Sequence, residues 1–466
     1  MRSTAASTAS RLLPHSVSQR LRPLAEKAMH IVNGRDSGAA AKRIALTAFA
    51  VRILSAAIAL ISQVILARLM GTFEYGIFVL VWTAMVIAGN ISCFGFQVSV
   101  IRFVPQYREQ GDLPRLRGMV WTSRWFVFGA STFLAALGLG ILELAQGRIE
   151  TYYVAPFLLG IVLLPMIALG DYITGLARAQ GWAMLSLLPI YVVRPILILL
   201  LVMGAIAFGA EATAQNALIA SIAATYFATI GALLALQAKT PPDMLAGHKT
   251  VELRHWVAVS LPIFLVEGFY FTMTNADVLM IGLYLPPEKV AVYFAAVKIL
   301  ALVHFVNFAV RAGAAQRFSA LVHSDDMAGL GAFARQTVQW MFWPSVFMAI
   351  IMVGTGDLLL KLFGAEYSGG HALMIILTLG IVARASVGPC ESILTMSGQE
   401  KACAVAYGLA LAINMALNIL LIPRMGLQGA AVATAIAMVF EALVLSALVY
   451  RRMGIAMFVF ARAAKG

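Results

Sequence analysis

Charge, acidity and cysteine are all scarce in this sequence, and each shortage excludes something. Only 12% of the 466 residues are charged, about half the share that a water-soluble domain needs to cover its surface. A soluble globular protein is therefore excluded. Acidic residues number 21 against 34 Lys and Arg, and the charged residues within the apolar runs are at least as basic as acidic. The cysteines are three; Cys93, Cys390 and Cys403 lie in or beside apolar segments, without metal-ligand spacing. That excludes a disulfide framework and a cysteine metal centre, and they read as buried thiols. Also absent are a P-loop, GxSxG, HExxH and paired-cysteine motifs. The chain reads as no enzyme, with no cofactor and no metal, and it is not expected to hydrolyse ATP.

What is present is hydrophobic: 61% of the residues, with 38 Gly and 22 Met. Small residues let membrane helices approach closely, and the class is an all-α polytopic membrane protein. A membrane-spanning helix needs about 20 mostly apolar residues. Such windows predict twelve spans, over 44–68, 77–101, 122–144, 154–176, 184–208, 214–237, 256–285, 290–315, 336–363, 370–397, 402–423 and 428–451.

The net charge of +13 would suggest nucleic acid in a soluble protein; here its distribution sets orientation instead. The loops on the side of the N-terminus carry roughly 24 basic residues and the opposite loops about five, which by the positive-inside rule puts both termini in the cytoplasm. Residues 1–42, Ser- and Ala-rich and broken by Pro, are expected to form a flexible basic tail able to lie on anionic headgroups. Their Arg- and Ser-rich start also resembles an organellar transit peptide. Residues 453–466 are expected to be a cytoplasmic C-terminal tail.

The two halves match. "ISQVILARLMGTFEYGIFVL" (61–80) aligns with "NADVLMIGLYLPPEKVAVYF" (275–294), setting Gln63 against Asp277 and Glu74 against Glu288. "GLARAQGWAM" aligns with "ILTMSGQEKA", and "AQNALIASIAATYF" with "LQGAAVATAIAMVF", all at a shift of about 213–218 residues, the mark of a duplication. Six spans per half give both repeats the same polarity, related by an axis along the membrane normal. The expected organisation is a first lobe over 43–238, a basic linker over 239–254 and a second lobe over 255–452.

Polar residues recur inside these spans, where a charge costs at least about 2.5–3.5 kcal/mol and so faces a cavity or a partner. Arg52, Gln63, Asn90, Gln97, Asp171 and Arg194 lie in the first half. The second adds Glu267, Asp277, Lys298, His304, Asn307, Arg311, Arg384, Glu391 and Glu441. Glu267, Tyr270, Thr274 and Asp277 follow i, i+3, i+7, i+10, one face of a continuous helix. His304, Asn307 and Arg311 follow i, i+3, i+7, and Arg384 and Glu391 are one heptad apart. Such seams imply a water-accessible interior. The bland alternatives are ion pairs of Asp277 or Glu267 with Lys298 or Arg311, and snorkelling of Arg52 and Arg311 to headgroups. Asn414 and Asn418, at i, i+4, read as glue between helices.

The stretches "ARLMGTFEYGIFVLVWTAMVIAGNISCFGFQVSVIRFVPQY", "NADVLMIGLYLPPEKVAVYFAAVKILAL" and "GQEKACAVAYGLALAINMALNILLIPRMGLQGAAVATAIAMVFEAL" resemble the bacterial polysaccharide (Wzx-type) flippases. These belong to the multidrug/oligosaccharidyl-lipid/polysaccharide (MOP) exporter superfamily. The resemblance runs from about residue 42 to 452 and implies two MATE-like six-helix lobes forming a V, working by alternating access in the bacterial inner membrane. The implied cargo is a polyprenyl-pyrophosphate-linked oligosaccharide, an O-antigen or exopolysaccharide unit. Arg52, Arg194, Lys298, Arg311 and Arg384 are candidates to meet its pyrophosphate, since guanidinium suits phosphate. Asp277, Glu267 and Glu391 are candidates for H+ or Na+ coupling; Gln63, Asn90, Tyr270, Thr274, His304 and Asn307 would complete a polar cavity. Candidate partners are membrane lipids, a polysaccharide polymerase and a chain-length regulator, with no nucleic acid. Twelve spans fit this type better than fourteen-helix peptidoglycan-precursor flippases. The alternatives are a MATE-like drug/cation antiporter, whose cavity should be acidic and aromatic, and a non-transporting scaffold of a polysaccharide assembly complex.

Overall fold

The computed structural model describes residues 37–461 apart from Gln146 and Asp325; the side chains of Arg52 and His304 lie outside the described residues, as does most of the predicted N-terminal tail. By compactness the chain divides into Met1–Ser55 and Ala56–Gly466. In the first unit the described part is the opening of the first helix. All other elements belong to the second unit.

Besides a single helical turn at Pro242–Leu245, fifteen α-helices are found among the described residues. The first half holds α1 (Ser37–Ser92), α2 (Phe96–Glu109), α3 (Leu113–Leu144), α4 (Thr151–Ala179), α5 (Ala183–Ala207, with a π-turn at Pro189–Val193) and α6 (Ala214–Lys239). The second holds α7 (Leu253–Met273), α8 (Ala276–Tyr284), α9 (Pro287–His323), α10 (Met327–Gly354) and α11 (Gly356–Phe363). It continues with α12 (His371–Ala385), α13 (Cys390–Met396), α14 (Glu400–Met425) and α15 (Leu427–Met453).

Among the described residues, ten apolar spans are long enough to cross a bilayer. One of them, Ile53–Glu109, has 57 residues, enough for two crossings at about 20 residues each. The 37-residue α9 supplies a further one. The fold is thus an all-α, multi-pass bundle with twelve crossings. Gly71 makes the double crossing possible: at φ 74° it occupies the left-handed region that a side chain disfavours, and α1 bends there.

Packing repeats between the halves. α4 lies against α2, α3 and α6, as α12 lies against α9, α10 and α15; α5 lies against α6 as α14 does against α15. The breaks do not repeat. Predicted span 7 is two helices, because Thr274 and Asn275 turn their side chains back on the last turn of α7. Thr274 Oγ1 donates to the carbonyls of Tyr270 and Phe271 (3.2 and 3.0 Å), and Asn275 Nδ2 donates to Phe271 O (2.8 Å). Orphan carbonyls are satisfied locally and the ladder stops. Predicted span 10 is likewise split into α12 and α13, where Pro389 has no amide to continue the ladder.

We call the end of the bundle carrying the Arg- and Lys-rich loops the basic end, and the other the far end. The halves meet at both. At the far end a Cβ on Gly76 would stand 1.9 Å from the Pro287 carbonyl, so only glycine lets α1 and α9 pack this closely. At the basic end Trp256 Nε1 donates to Tyr107 Oη (3.0 Å) and Ser260 Oγ to Ser99 Oγ (2.7 Å). The segment joining the halves is pinned to α3: Thr250 N donates to Pro114 O at 3.0 Å and Arg115 pairs with Glu252 at 2.9 Å. The residues after α15 fold back on the second half: Ser446 Oγ donates to Met457 O, Val459 N donates to Ser386 O, and Ile455 and Met457 are buried. Two apolar side chains two residues apart anchor the first residues of the expected C-terminal tail against the second half. The three cysteines are buried and unpaired.

Candidate functional site

Two buried polar clusters stand at different depths in the second half, both built across α14 and α15. Nearer the basic end, Arg311 of α9 pairs with Glu391 of α13 (2.6 Å), and Arg384 of α12 pairs with Glu441 of α15 (3.1 Å). Tyr407 of α14 donates to the second Glu391 oxygen at 2.5 Å. Arg384 also donates to Tyr270 Oη (3.2 Å) and lies over the Tyr270 ring, 4.7 Å from its centre. Two arginines, two glutamates and two tyrosines thus satisfy one another, as groups removed from water must. One atom is left over: Glu441 Oε2 is buried without a hydrogen-bond partner. Beside it is a cavity of about 20 Å³, room for about one water molecule.

The second cluster surrounds Asp277, the second residue of α8, which is 4% exposed. Four neutral side chains donate to its carboxylate. Asn414 Nδ2 (3.1 Å) and Asn418 Nδ2 (3.0 Å) reach Oδ1, and Tyr293 Oη (3.0 Å) and Thr434 Oγ1 (2.5 Å) reach Oδ2. No cation pairs with it among the described residues. The fixed break between α7 and α8 is what turns Asp277 into this cage, away from Glu267 and Tyr270. The predicted seam over 267–277 therefore divides between two places. From Tyr407 to Asn414 is seven residues of α14, so the clusters stand about 10 Å apart along the helix.

Among the other candidates, Glu267 is exposed although it lies mid-helix, within electrostatic range of Glu391 and Arg311. The alternative pairing of Asp277 or Glu267 with Lys298 or Arg311 is not found among the described residues; Arg311 takes Glu391. Lys298 lies over the Phe294 ring at 4.7 Å and makes no ion pair among the described residues. Thr274 serves the helix end, and Asn307 Oδ1 accepts from Ser345 Oγ at 3.2 Å. The Arg52 and His304 side chains lie outside the described residues.

In the first half, Arg194 lies over the Trp82 ring at 5.2 Å, a cation–π contact. Asp171 is within electrostatic range of it, and no ion pair joins the two among the described residues. Arg124 Nε, Asn90 Oδ1 and Gln97 Oε1 are buried without hydrogen-bond partners. Gln63 accepts from Tyr75 Oη at 2.7 Å; Tyr75 stands opposite Lys289 in the alignment of the halves, so this bond does not repeat the one from Tyr293 to Asp277.

Tyr293, Thr434 and Tyr407 complete the clusters, and sequence reasoning did not single them out; it left Glu441 and the two asparagines outside the site. The signal was present. Tyr407, Asn414 and Asn418 follow i, i+7, i+11 on α14, and Thr434 and Glu441 follow i, i+7 on α15, each one helical face.

The family described as polysaccharide biosynthesis protein matches residues 42–314, and the family described as MatE matches residues 262–420. No curated protein matches the chain. An inward-facing multidrug resistance transporter of the MATE family, in the MOP superfamily, superposes with a TM-score of 0.67 at 15% identity, over 87% of this chain and 94% of that one. The lipid II flippase MurJ in an inward closed conformation gives 0.65 at 15%, over 87% of each chain. A MOP superfamily transporter from Pyrococcus furiosus, described by the reverse polarity of its binding pocket, gives 0.62 at 13%, over 91% and 97%. At these identities the likeness establishes the fold. Both matching families are families of transporters, not of enzymes.

Proposed function

This chain belongs to the polysaccharide biosynthesis protein family, and from that premise we propose that it flips a polyprenyl-pyrophosphate-linked oligosaccharide across the bacterial inner membrane. The unit, of O-antigen or exopolysaccharide type, moves from the cytoplasmic to the periplasmic leaflet by alternating access, with both chain termini in the cytoplasm. The match over residues 42–314 is the observation that carries this reading.

The interior chemistry supports it. Arg194 and Lys298 rest on aromatic rings rather than on carboxylates, so their charge is available to a pyrophosphate. Arg311 and Arg384 reach the cargo only by exchanging their glutamates for it, a difference between states that alternating access can use. Arg52 is proposed for the same set. A polysaccharide polymerase and a chain-length regulator are the proposed partners, since they act on what the flippase delivers.

Asp277 is the proposed coupling site. Its surroundings are oxygen-rich and hold no soft ligand: one carboxylate, two carboxamides, two hydroxyls. Such a set suits a proton or Na+. The buried, unpartnered Oδ1 of Asn418 is an acceptor lacking a positive partner. A half-turn of the two carboxamides would present oxygen in place of Nδ2 to a bound cation. Glu267 and Glu391 are proposed to respond to the same ion through the Arg311 pair.

One observation favours a second reading, a drug or organic-cation antiporter: the MatE family matches residues 262–420, where the interior acids concentrate. Gene deletion separates the two. Loss of surface glycan with lipid-linked oligosaccharide retained on the cytoplasmic face is the expected result. Unchanged surface glycan with lost dye resistance would sink the flippase reading.

A further inference from the structure

A cavity of about 670 Å³ opens at the basic end, outside both polar clusters. Its walls come from both halves. Arg102 stands on α2, Lys401 at the start of α14 and Arg452 in the last turn of α15, and Pro262 of α7 and Val405 of α14 line it. The three cations are exposed, and none has an ion-pair partner among the described residues. None of them belongs to the interior set described above.

The combination is selective. Three unpaired cations at one mouth call for a multiply charged anion, and two of them are arginines, whose planar fork matches phosphate oxygens. The one acid in the lining, Glu400, is the first residue of α14, where the helix dipole accommodates its charge. The volume far exceeds an inorganic ion and lies in the range of pockets that hold small organic ligands. Val259, Pro262, Ile263 and Val405 give it an apolar wall on spanning helices, and Val405 is followed on the same face of α14 by the exposed Leu409 and Leu420, so the wall runs on into an exposed apolar face of a spanning helix. A soluble anion has no use for such a wall; the first carbons of a lipid chain do.

We infer that this cavity binds the phosphate-bearing headgroup of a membrane lipid, with Arg102, Lys401 and Arg452 on the phosphates and Val405 and Pro262 against the adjoining carbons. On the flippase reading, on which the identity of the lipid rests, it is the loading position of the pyrophosphate-linked cargo before the interior cations receive it.

The test is equilibrium binding of labelled farnesyl pyrophosphate to the full chain in maltoside micelles, which carry no phosphate. R102Q/K401Q/R452Q is expected to weaken binding by at least about tenfold, because charge-assisted contacts are lost. Lys239→Gln, at the same end but outside the cavity, should leave binding unchanged. Val405→Trp, which fills the apolar wall and leaves every charge in place, should also weaken it and covers the case of a triple variant that does not fold. Inorganic pyrophosphate should compete poorly. Competition by phosphatidylglycerol as strong as that by unlabelled farnesyl pyrophosphate supports the headgroup site and assigns it to bulk lipid. Unchanged affinity in both cavity variants overturns the inference, and so does equal binding of inorganic pyrophosphate. Surface glycan is read separately in deleted cells carrying the wild-type gene. No restoration with binding intact sinks the flippase reading alone; restoration with binding indifferent to the substitutions sinks this inference alone.

Discussion

In the second half, Arg311 and Arg384 each have a glutamate within 3.1 Å; in the first half, Arg124 and Arg194 have none among the described residues. Counting described interior groups, the second half sets four acids (Glu267, Asp277, Glu391, Glu441) against three bases (Lys298, Arg311, Arg384). The first sets Asp171 against Arg124 and Arg194. Duplication has preserved the packing of the helices while the charges have diverged. The second half neutralises itself and buries an acid in a neutral cage; the first keeps positive charge in reserve. A transporter of an anion driven by a cation needs both properties, and a pseudo-symmetric fold can supply them one per repeat.

That contrast can be broken at several points. The largest effect is expected from Asp277→Asn, which removes the only charge in its cage. Translocation should lose its dependence on the driving ion altogether, because an ion with equal affinity for both states shifts nothing. Ion-jump flux in proteoliposomes checks this at matched protein abundance, and normal coupled flux would reassign Asp277 to structure.

Next is Arg384→Ala, which strands Glu441 at 1% exposure. Breaking a buried pair on one side costs about 3–5 kcal/mol, whereas removing both partners is far cheaper. Thermal unfolding in detergent should therefore show R384A well below R384A/E441A. Equal midpoints would mean that the second half is not held by this pair.

Arg194→Ala should behave in the opposite way. Its loss removes a cation–π contact of about 1 kcal/mol and a through-space attraction to Asp171 but breaks no hydrogen-bonded ion pair, so the unfolding midpoint should move much less than for R384A. Translocation should fall about tenfold through the lost phosphate contact, and wild-type flux with wild-type stability would remove Arg194 from the cargo path.

The smallest expected effect is Tyr407→Phe. It takes one hydrogen bond from Glu391 while the Arg311 pair stays, worth about 1–2 kcal/mol. A shift as large as that of R384A would show the cluster to be one cooperative network rather than two pairs.

Much of this was legible in the residues. Apolar runs of bilayer length are a local property, and each of the twelve predicted windows falls on a helix or a helix pair. The repeat was visible because Gln63 and Asp277 keep the same place before the same turn. The division of helix 7 was harder to see: periodicity runs smoothly through Thr274 and Asn275, and only the return of their side chains to the preceding carbonyls stops the helix. The companions of Asp277 were hidden by distance. Asn414, Asn418 and Thr434 lie 137, 141 and 157 residues away, and a face on one helix does not say which other face it meets.

The class, the spans, the duplication and the list of charged residues the membrane must accommodate follow from the residues alone. All of these rest on transfer free energies that depend on each segment alone. Tertiary structure decided which charges cancel and which remain. Two helices broken at Thr274 and Pro389 send Asp277 and Glu391 to different neighbours, and only a packed bundle brings α14 and α15 between them. Pairing inside a membrane is a matter of a few ångströms, set by the crossing of helices far apart in the chain.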